Sequence, residues 1–152
     1  MLTTYASLKT AIAGKLSAIE TAEDVTLFSG VYTVVETTPA GYPCAFVVEY
    51  AGDGSIIDTH RNEREWQFEV TIMQEIGVKT PENAQTALLD AVDRVITVFD
   101  NDPYLADENG DPQVLWLEVV PLEFEYATGA GAVQTAKLRV ACKNLTNRYA
   151  TT

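Results

Sequence analysis

The sequence has few of the side chains that carry enzymatic chemistry. It contains one histidine, His60, and two cysteines, Cys44 and Cys142. A metal site with several imidazole ligands is therefore excluded, and a Ser-His-Asp triad would have a single possible base. A glycine-rich phosphate-binding loop and a Cys-x-x-Cys motif are also missing. His60 lies in a polar segment, so we expect no catalytic residue, no cofactor and no metal.

Long hydrophobic runs are absent as well. The apolar runs extend over a handful of residues, far below the roughly 20 that a helix needs to cross a bilayer. The chain begins Met1-Leu2-Thr3-Thr4-Tyr5, with no basic region ahead of a hydrophobic one. We expect no membrane partner and a protein that is soluble in the cytosol when it is made. Both cysteines sit in apolar strand contexts, which favours buried free thiols over a disulfide.

Acidic residues are missing from the last 27 residues, and this divides the charge of the chain. All 22 acids lie at or before Glu125 together with six bases, whereas the remainder holds four bases. The first part therefore carries −16 and the second +4, which gives a net charge of −12. This charge balance disfavours tight binding of nucleic acid, because a surface that binds nucleic acid must neutralise its phosphates with basic residues. It allows an acidic wall past which DNA slides.

Two interpretations of this asymmetry remain open. In one, the acids form a solvated surface and the bases pair within their own sheet, where Glu123 could satisfy Lys137. In the other, the basic last strand of one copy meets the acidic surface of the next, head to tail. The candidate residues of that subunit interface are Lys137, Arg139, Lys143, Glu65 and Glu69.

The strongest positive signals are an alternating strand and the helix that follows it. From Glu65 to Ile72 every even position is large and apolar and every odd position is polar, which is typical of a strand with one buried face. Thr80-Pro81 then begins a helix that extends to Asp100. Strand and helix each have one apolar face and must bury it against the other. The helix face comprises Ala84, Ala87, Leu88, Ala91, Val92, Val95, Ile96 and Phe99.

The other segments complete a single domain over residues 1–152. Helical spacing of Leu8, Ile12, Leu16 and Ile19 predicts a first helix over about Tyr5–Thr21, capped by Thr3 or Thr4. Strands are predicted over Val25–Glu36, Cys44–Tyr50, Arg64–Ile76, Gln113–Ala127 and Val133–Asn144, with Ala51–Glu63 as a polar excursion. Matching apolar residues across the last hairpin, around Gly129-Ala130-Gly131, sets Phe124 opposite Ala136, Glu123 opposite Lys137 and Leu122 opposite Leu138.

This order of elements predicts an α+β fold, with about five strands in an antiparallel or mixed sheet and two helices packed on one face. The other face would be polar, and a sheet with a polar face is either solvated or an assembly surface. The loop Asp100–Pro112 is rich in acids, but its spacing misses the calcium-binding pattern, which favours a solvated loop. The sequence assigns no role to the segment Ala106–Pro112 of this loop.

Five pieces of the chain share their order and character with a known family. They are the first helix with Leu8, Ile12, Leu16 and Ile19; the turn Ala40-Gly41-Tyr42-Pro43 before an apolar strand; His60–Arg64 leading into Trp66–Ile72; the helix Pro81–Asp100; and Trp116–Phe124 with its hairpin return. In this layout, which covers nearly the whole chain, the sequence resembles the tail terminator (tail-tube completion) proteins of long-tailed bacteriophages and prophages.

The resemblance implies a homohexameric ring that caps the finished tail tube, stops its polymerisation and joins the tail to the neck of the head. The implied partners are copies of the chain itself, the tail tube protein and a head-completion or neck protein, with DNA passing through the lumen without specific binding. The implied location is the tail of the virion, after assembly in the cytoplasm of the bacterial host. A head-closure or neck adaptor, and a small α+β ligand-binding module or enzyme, are the alternatives.

Overall fold

The described part of the chain forms two helices and five strands. The computed structural model describes residues 4–34, 38–56, 61–77, 80–127 and 131–147, without the side chains of 51–56, 61–63 and 145–147. The strands form one mixed sheet in the order β1-β2-β3-β5-β4, with both helices packed against it. The predicted α+β class is confirmed. The elements are α1 (Tyr5–Ser17), β1 (Gly30–Tyr32), β2 (Cys44–Ile56), β3 (Arg61–Glu75), α2 (Pro81–Asp100), β4 (Trp116–Glu125) and β5 (Val133–Asn147).

The core lies between β3, in the middle of the sheet, and the two helices. Phe68 of β3 is fully buried, and the Tyr5 ring of α1 meets it edge-on at 5.8 Å between ring centroids. The predicted contact between the alternating strand and the second helix is confirmed, because both apolar faces belong to one buried cluster. The core contributions are Trp66, Phe68, Val70 and Ile72 from β3, Leu88, Val92, Val95 and Phe99 from α2, and Leu8, Ile12 and Leu16 from α1.

Both helices begin where the sequence predicts. Thr80 caps α2 by accepting a hydrogen bond from the Asn83 N–H (3.1 Å), and Pro81 occupies the start of the helix. Thr4 caps α1 in a capping box with Ser7. α1 ends at Ser17 rather than Thr21, because the chain turns there and pairs with the segment before β1 through a bridge between Glu20 and Thr26.

The first strand is much shorter than the predicted Val25–Glu36. Of its described residues, Gly30–Tyr32 pair with β2, in parallel. The backbone before it bonds elsewhere: the Leu27 N–H donates to the Ile19 carbonyl (2.8 Å) and the Thr21 N–H to the Val25 carbonyl (2.7 Å). Residues 35–37 lie outside the described part of the chain.

The prediction of a polar excursion over Ala51–Glu63 is wrong for its described residues. β2 continues to Ile56 and β3 begins at Arg61, and residues 51–56 pair with 62–67 across the hairpin. β5 pairs with the other edge of β3 along the same stretch. Backbone hydrogen bonds on both edges hold this extension without an apolar side-chain pattern, which is why alternation did not indicate it. His60 lies outside the described residues.

The last hairpin agrees with the prediction at two of three pairs. Phe124 lies opposite Ala136 and Glu123 opposite Lys137, as expected. The third pair is wrong, because Pro121, and not Leu122, lies opposite Leu138, and the register shifts between Pro121 and Glu123. Leu122 is the extra residue of a bulge and is 43% exposed.

Both cysteines are buried and free, as predicted. Cys44 lies opposite Met73 and Cys142 opposite Trp66, so the two thiols are on opposite faces of the sheet with β3 between them. Burial raises the pKa of Cys44 to about 11. Burial, with a smaller contribution from the charge of Glu65, raises the pKa of Cys142 to about 12.

We expect the native protein to be inert toward thiol reagents at pH 8. The thiolate is the reactive form, and at this pH each thiol is ionised to about one part in a thousand or less, given pKa values of about 11 and 12. Titration with a chromogenic disulfide should show no fast reaction in buffer and two reactive thiols in urea. A fast native reaction would show that one of these burials is wrong.

Phe68→Ala should lower the free energy of unfolding by about 3 to 5 kcal/mol, because it leaves a cavity in the middle of the core. Phe124→Ala is the matched control, since it removes the same atoms from a strand position that is 37% exposed. We expect the control to lose less than half as much in urea unfolding. Similar losses for the two variants would show that the buried face of β3 is assigned wrongly.

Candidate functional site

The face of the sheet that points away from the helices carries half-buried charged residues. Side chains alternate along a strand, and the even-numbered residues from Trp66 to Gln74 of β3 and from Gln134 to Cys142 of β5 are buried. The odd-numbered residues therefore share the opposite side, which we call the polar face. All the predicted interface residues lie on it and are partly exposed: Glu65, Glu69, Lys137, Arg139 and Lys143.

Strand register arranges these charges in stripes. On β3 and β5, Glu65 lies opposite Lys143 and Glu69 lies opposite Arg139. On the other side of β5, Glu123 of β4 lies opposite Lys137. Directly opposed residues have Cβ atoms about 4.5 to 5.5 Å apart. The bases of β5, which we call the basic strip (Lys137, Arg139 and Lys143), are thus flanked by acids of their own subunit.

Two bases of the strip form no ion pair with any residue that the structure describes. Within the described residues, ion pairs join Lys9 to Glu49, Lys15 to Asp102 and Arg94 to Asp90. Neither Lys137 nor Arg139 forms an ion pair with a described residue, and the Nε atom of Arg139 is buried without a hydrogen-bond acceptor. A buried donor without an acceptor costs about 1 to 3 kcal/mol.

Lys143 is held differently from the other bases of the strip. Its Nζ atom lies 5.2 Å from the centroid of the Trp116 ring at the start of β4. Such a cation–π contact contributes about 0.5 to 1 kcal/mol at an exposed site. Lys143 is therefore part of the subunit's own packing.

The loop between α2 and β4 is anchored at Asp102. Its carboxylate pairs with Lys15 of α1 and accepts a hydrogen bond from the Ala106 N–H (3.2 Å). Burial by itself would raise the pKa of Asp102, but the hydrogen bonds from Lys15 and Ala106 and the charge of Lys15 hold this pKa below its usual value. The contact joins α1 to the end of α2.

Beyond this anchor the chain forms a compact turn, which we call the acidic loop (Asp107–Asp111). The Oδ1 atom of Asp107 accepts hydrogen bonds from the N–H groups of Asn109 and Asp111, both at 2.9 Å. The Asp107 N–H donates to the Asp111 carbonyl (2.8 Å), and Gly110 adopts the φ of +82° that the turn requires. The carboxylates of Asp102 and Asp107 are thus engaged by Lys15 and by backbone N–H groups. Among the described residues, no three possible metal ligands lie together.

An open groove runs between α1 and the acidic loop. Its walls include Ala11 and Gly14 of α1, and Ala106, Asp107 and Glu108 across from them. The groove shows that the acidic loop lies on the helix side of the sheet, opposite the polar face. The described lining residues include no histidine or cysteine, and Lys15 is engaged with Asp102.

Neither helix in the described part of the chain is long and apolar enough to cross a membrane.

No family model and no curated protein matches the sequence. The fold is similar to that of a sheath/tube terminator from an extracellular contractile injection system, PVC, solved by cryo-EM in the extended state. The match has a TM-score of 0.50 at 12% sequence identity and covers 100% of this chain. It covers 61% of the other chain, so this chain spans about three fifths of the length of that protein. At this identity the likeness shows a shared fold.

Replacing Asp102 tests the anchor of the loop. Asp102→Ala should lower the free energy of unfolding by about 1 to 2 kcal/mol at pH 7, because it leaves Lys15 and the Ala106 N–H without their acceptor. The neighbouring exposed residue gives the control, and Asp100→Ala should change stability by less than about 0.5 kcal/mol.

The effect of Asp102→Ala should depend on pH in one direction. A carboxylate with a lowered pKa stabilises the fold above its unfolded-state pKa of about 3.9 and loses this contribution as pH falls through the folded value. The difference between wild type and variant should therefore be constant above about pH 5 and shrink below pH 4. A difference that grows in acid would contradict the ion pair.

Proposed function

We propose that this chain is a structural protein that ends a tail tube, acting as a ring of identical copies, six as in the family that its sequence resembles. The fold is the observation that carries the proposal. Over its whole length the chain matches a sheath/tube terminator, with a TM-score of 0.50. The sequence resemblance to phage tail terminators rests on the order and character of local segments, and it favours the same class.

In this proposal the two sides of the ring have different partners. One side contacts the last ring of the tail tube protein and stops its polymerisation, and the other offers a docking face to a head-completion or neck protein. DNA passes through the lumen without specific binding, because a net charge of −12 repels its phosphates. The ring is part of the virion tail, or of a related tail-like particle, and is assembled in the cytoplasm of the bacterial host. It catalyses no reaction.

The proposed subunit contact includes the polar face with the predicted bases Lys137, Arg139 and Lys143, and with Glu65 and Glu69 beside them on the same face. Exposed charge pairs contribute about 0.2 to 1 kcal/mol each and are screened by salt. The charges would therefore set the orientation and rate of assembly, while apolar contacts supply most of the affinity. Exposed apolar side chains for such contacts are present near the edge of the sheet, at Leu122, Phe124 and Tyr126.

The purified protein should form rings of uniform diameter. Negative-stain images should show closed particles with a central channel, and mass photometry should give a mass near six times 16.6 kDa. Added to a tail tube protein that polymerises in vitro, the rings should bind tube ends and shorten the tubes.

Three outcomes would count against this function. A chain that stays monomeric at all concentrations, in the presence and absence of tubes, would contradict ring formation. Rings that do not bind tube ends but bind a portal-side protein would favour the head-closure alternative. Turnover of a small substrate by the folded monomer would favour the enzyme alternative.

A further inference from the structure

The symmetry of a ring restricts which acids can meet the basic strip. Glu65 and Glu69 lie on the polar face one strand away from Lys143 and Arg139. If these acids met a neighbour's bases, both copies would use the same patch, which gives a twofold dimer. A ring needs a heterologous contact, in which two different surfaces meet. The acids that face the basic strip across a ring contact must therefore come from another part of the subunit.

The acidic loop is a separate surface with the required charge. Asp107, Glu108 and Asp111 lie within five residues, and no lysine or arginine occurs between Arg94 and Lys137. Glu108 and Asp111 are exposed and form no ion pair with a described residue. By contrast, Lys9 and Arg94 neutralise carboxylates elsewhere on the helix side, and Lys15, which lines the groove beside the loop, pairs with Asp102. This loop therefore leaves more uncompensated charge than the surface around those pairs.

The internal hydrogen bonds of the loop favour binding. The Asp107 carboxylate accepts hydrogen bonds from the backbone N–H groups of Asn109 and Asp111, and the Asp102 carboxylate accepts one from the Ala106 N–H, just before the loop. A loop that is already ordered loses little conformational entropy when it docks. Its position beside α1 is on the side of the subunit opposite the polar face, so a contact between the two surfaces can repeat from copy to copy.

We propose that the acidic loop of one copy docks on Lys137 and Arg139 of the next copy. The carboxylates of Glu108 and Asp111 meet the ammonium group of Lys137 and the guanidinium group of Arg139, neither of which forms an ion pair with a described residue of its own chain. Glu69 and Glu123 stay beside these bases at the rim of the contact and help to orient them. This contact rests on the proposed ring, and it assigns to the acidic loop a role in joining subunits.

Charge reversal on each side tests the contact. The loop variant carries Glu108→Lys and Asp111→Lys, the strip variant carries Lys137→Glu and Arg139→Glu, and a third variant combines all four changes. The matched control is Glu82→Lys with Asp93→Lys, which makes the same charge change as the loop variant at exposed positions of α2. Self-association is measured by sedimentation velocity at 50 mM and 500 mM salt, and thermal unfolding checks each fold.

We expect the loop variant and the strip variant each to weaken self-association at least tenfold at low salt. The combined variant should recover most of the loss, because its charges are complementary again. The control should assemble no more weakly than wild type. Raising the salt should reduce the difference between the variants and wild type, since exposed charges are screened.

Other results would overturn the contact. If the wild type and the loop variant self-associate equally well, this contact is contradicted, but the proposed ring is not. A wild type that stays monomeric would contradict both the ring and the contact. If the strip variant unfolds because Glu69 and Glu123 then face like charges, the loop variant decides the question, since it changes only exposed positions. The wild type could also bind a phosphate polymer. If the strip variant loses this binding but self-associates like the wild type, the basic strip serves a different partner.

Discussion

The burial of one face of β3 against α2 is the constraint on which the rest of the structure depends. β3 is hydrogen-bonded on both edges, by β2 and by β5, so it cannot rotate or slip without breaking two ladders. A slip by one residue would move Phe68 to the polar face and Glu69 into the core. Packing thus fixes the register of three strands, and the register in turn fixes which acid lies opposite which base. The charged stripes of the polar face are a consequence of core packing.

The edges of the sheet show how the fold avoids uncontrolled pairing. At one edge, β1 covers only three residues of β2. At the other, β4 carries Pro121, the bulge at Leu122, and exposed acids at Glu118, Glu123 and Glu125. Proline, bulges and charges are the devices by which natural proteins keep an exposed edge from adding further strands. These features limit backbone pairing at the open edge, which is poorly selective for partner and register.

Charge is distributed so that the two sides of the subunit differ. The helix side joins α1 to the end of α2 through Lys15 and Asp102 and holds an ordered acidic turn beyond them. The polar face holds bases between two stripes of acids, with Arg139 left short of an acceptor. An interaction between unlike surfaces can repeat around a ring, whereas an interaction of the polar face with itself stops at two copies.

Local sequence pattern determines several features of this protein without reference to the fold. Alternation over Glu65–Ile72 identified the buried face of β3, and Thr80-Pro81 identified the start of α2, because side-chain periodicity and capping depend on neighbouring residues only. The composition of the last 27 residues shows that basic charge is concentrated there. The interface residues themselves remain a prediction.

Tertiary structure alone decided the features that join distant parts of the chain. The Lys15–Asp102 pair, the extension of β2 and β3 beyond the apolar pattern, and the bulge at Leu122 have no local signal. Each depends on backbone pairing or on contacts between residues far apart in sequence, which periodicity does not record. The same holds for the polar face. Strand register places Arg139 opposite Glu69, although the two form no ion pair. The groove beside α1 places the acidic loop on the other side of the sheet.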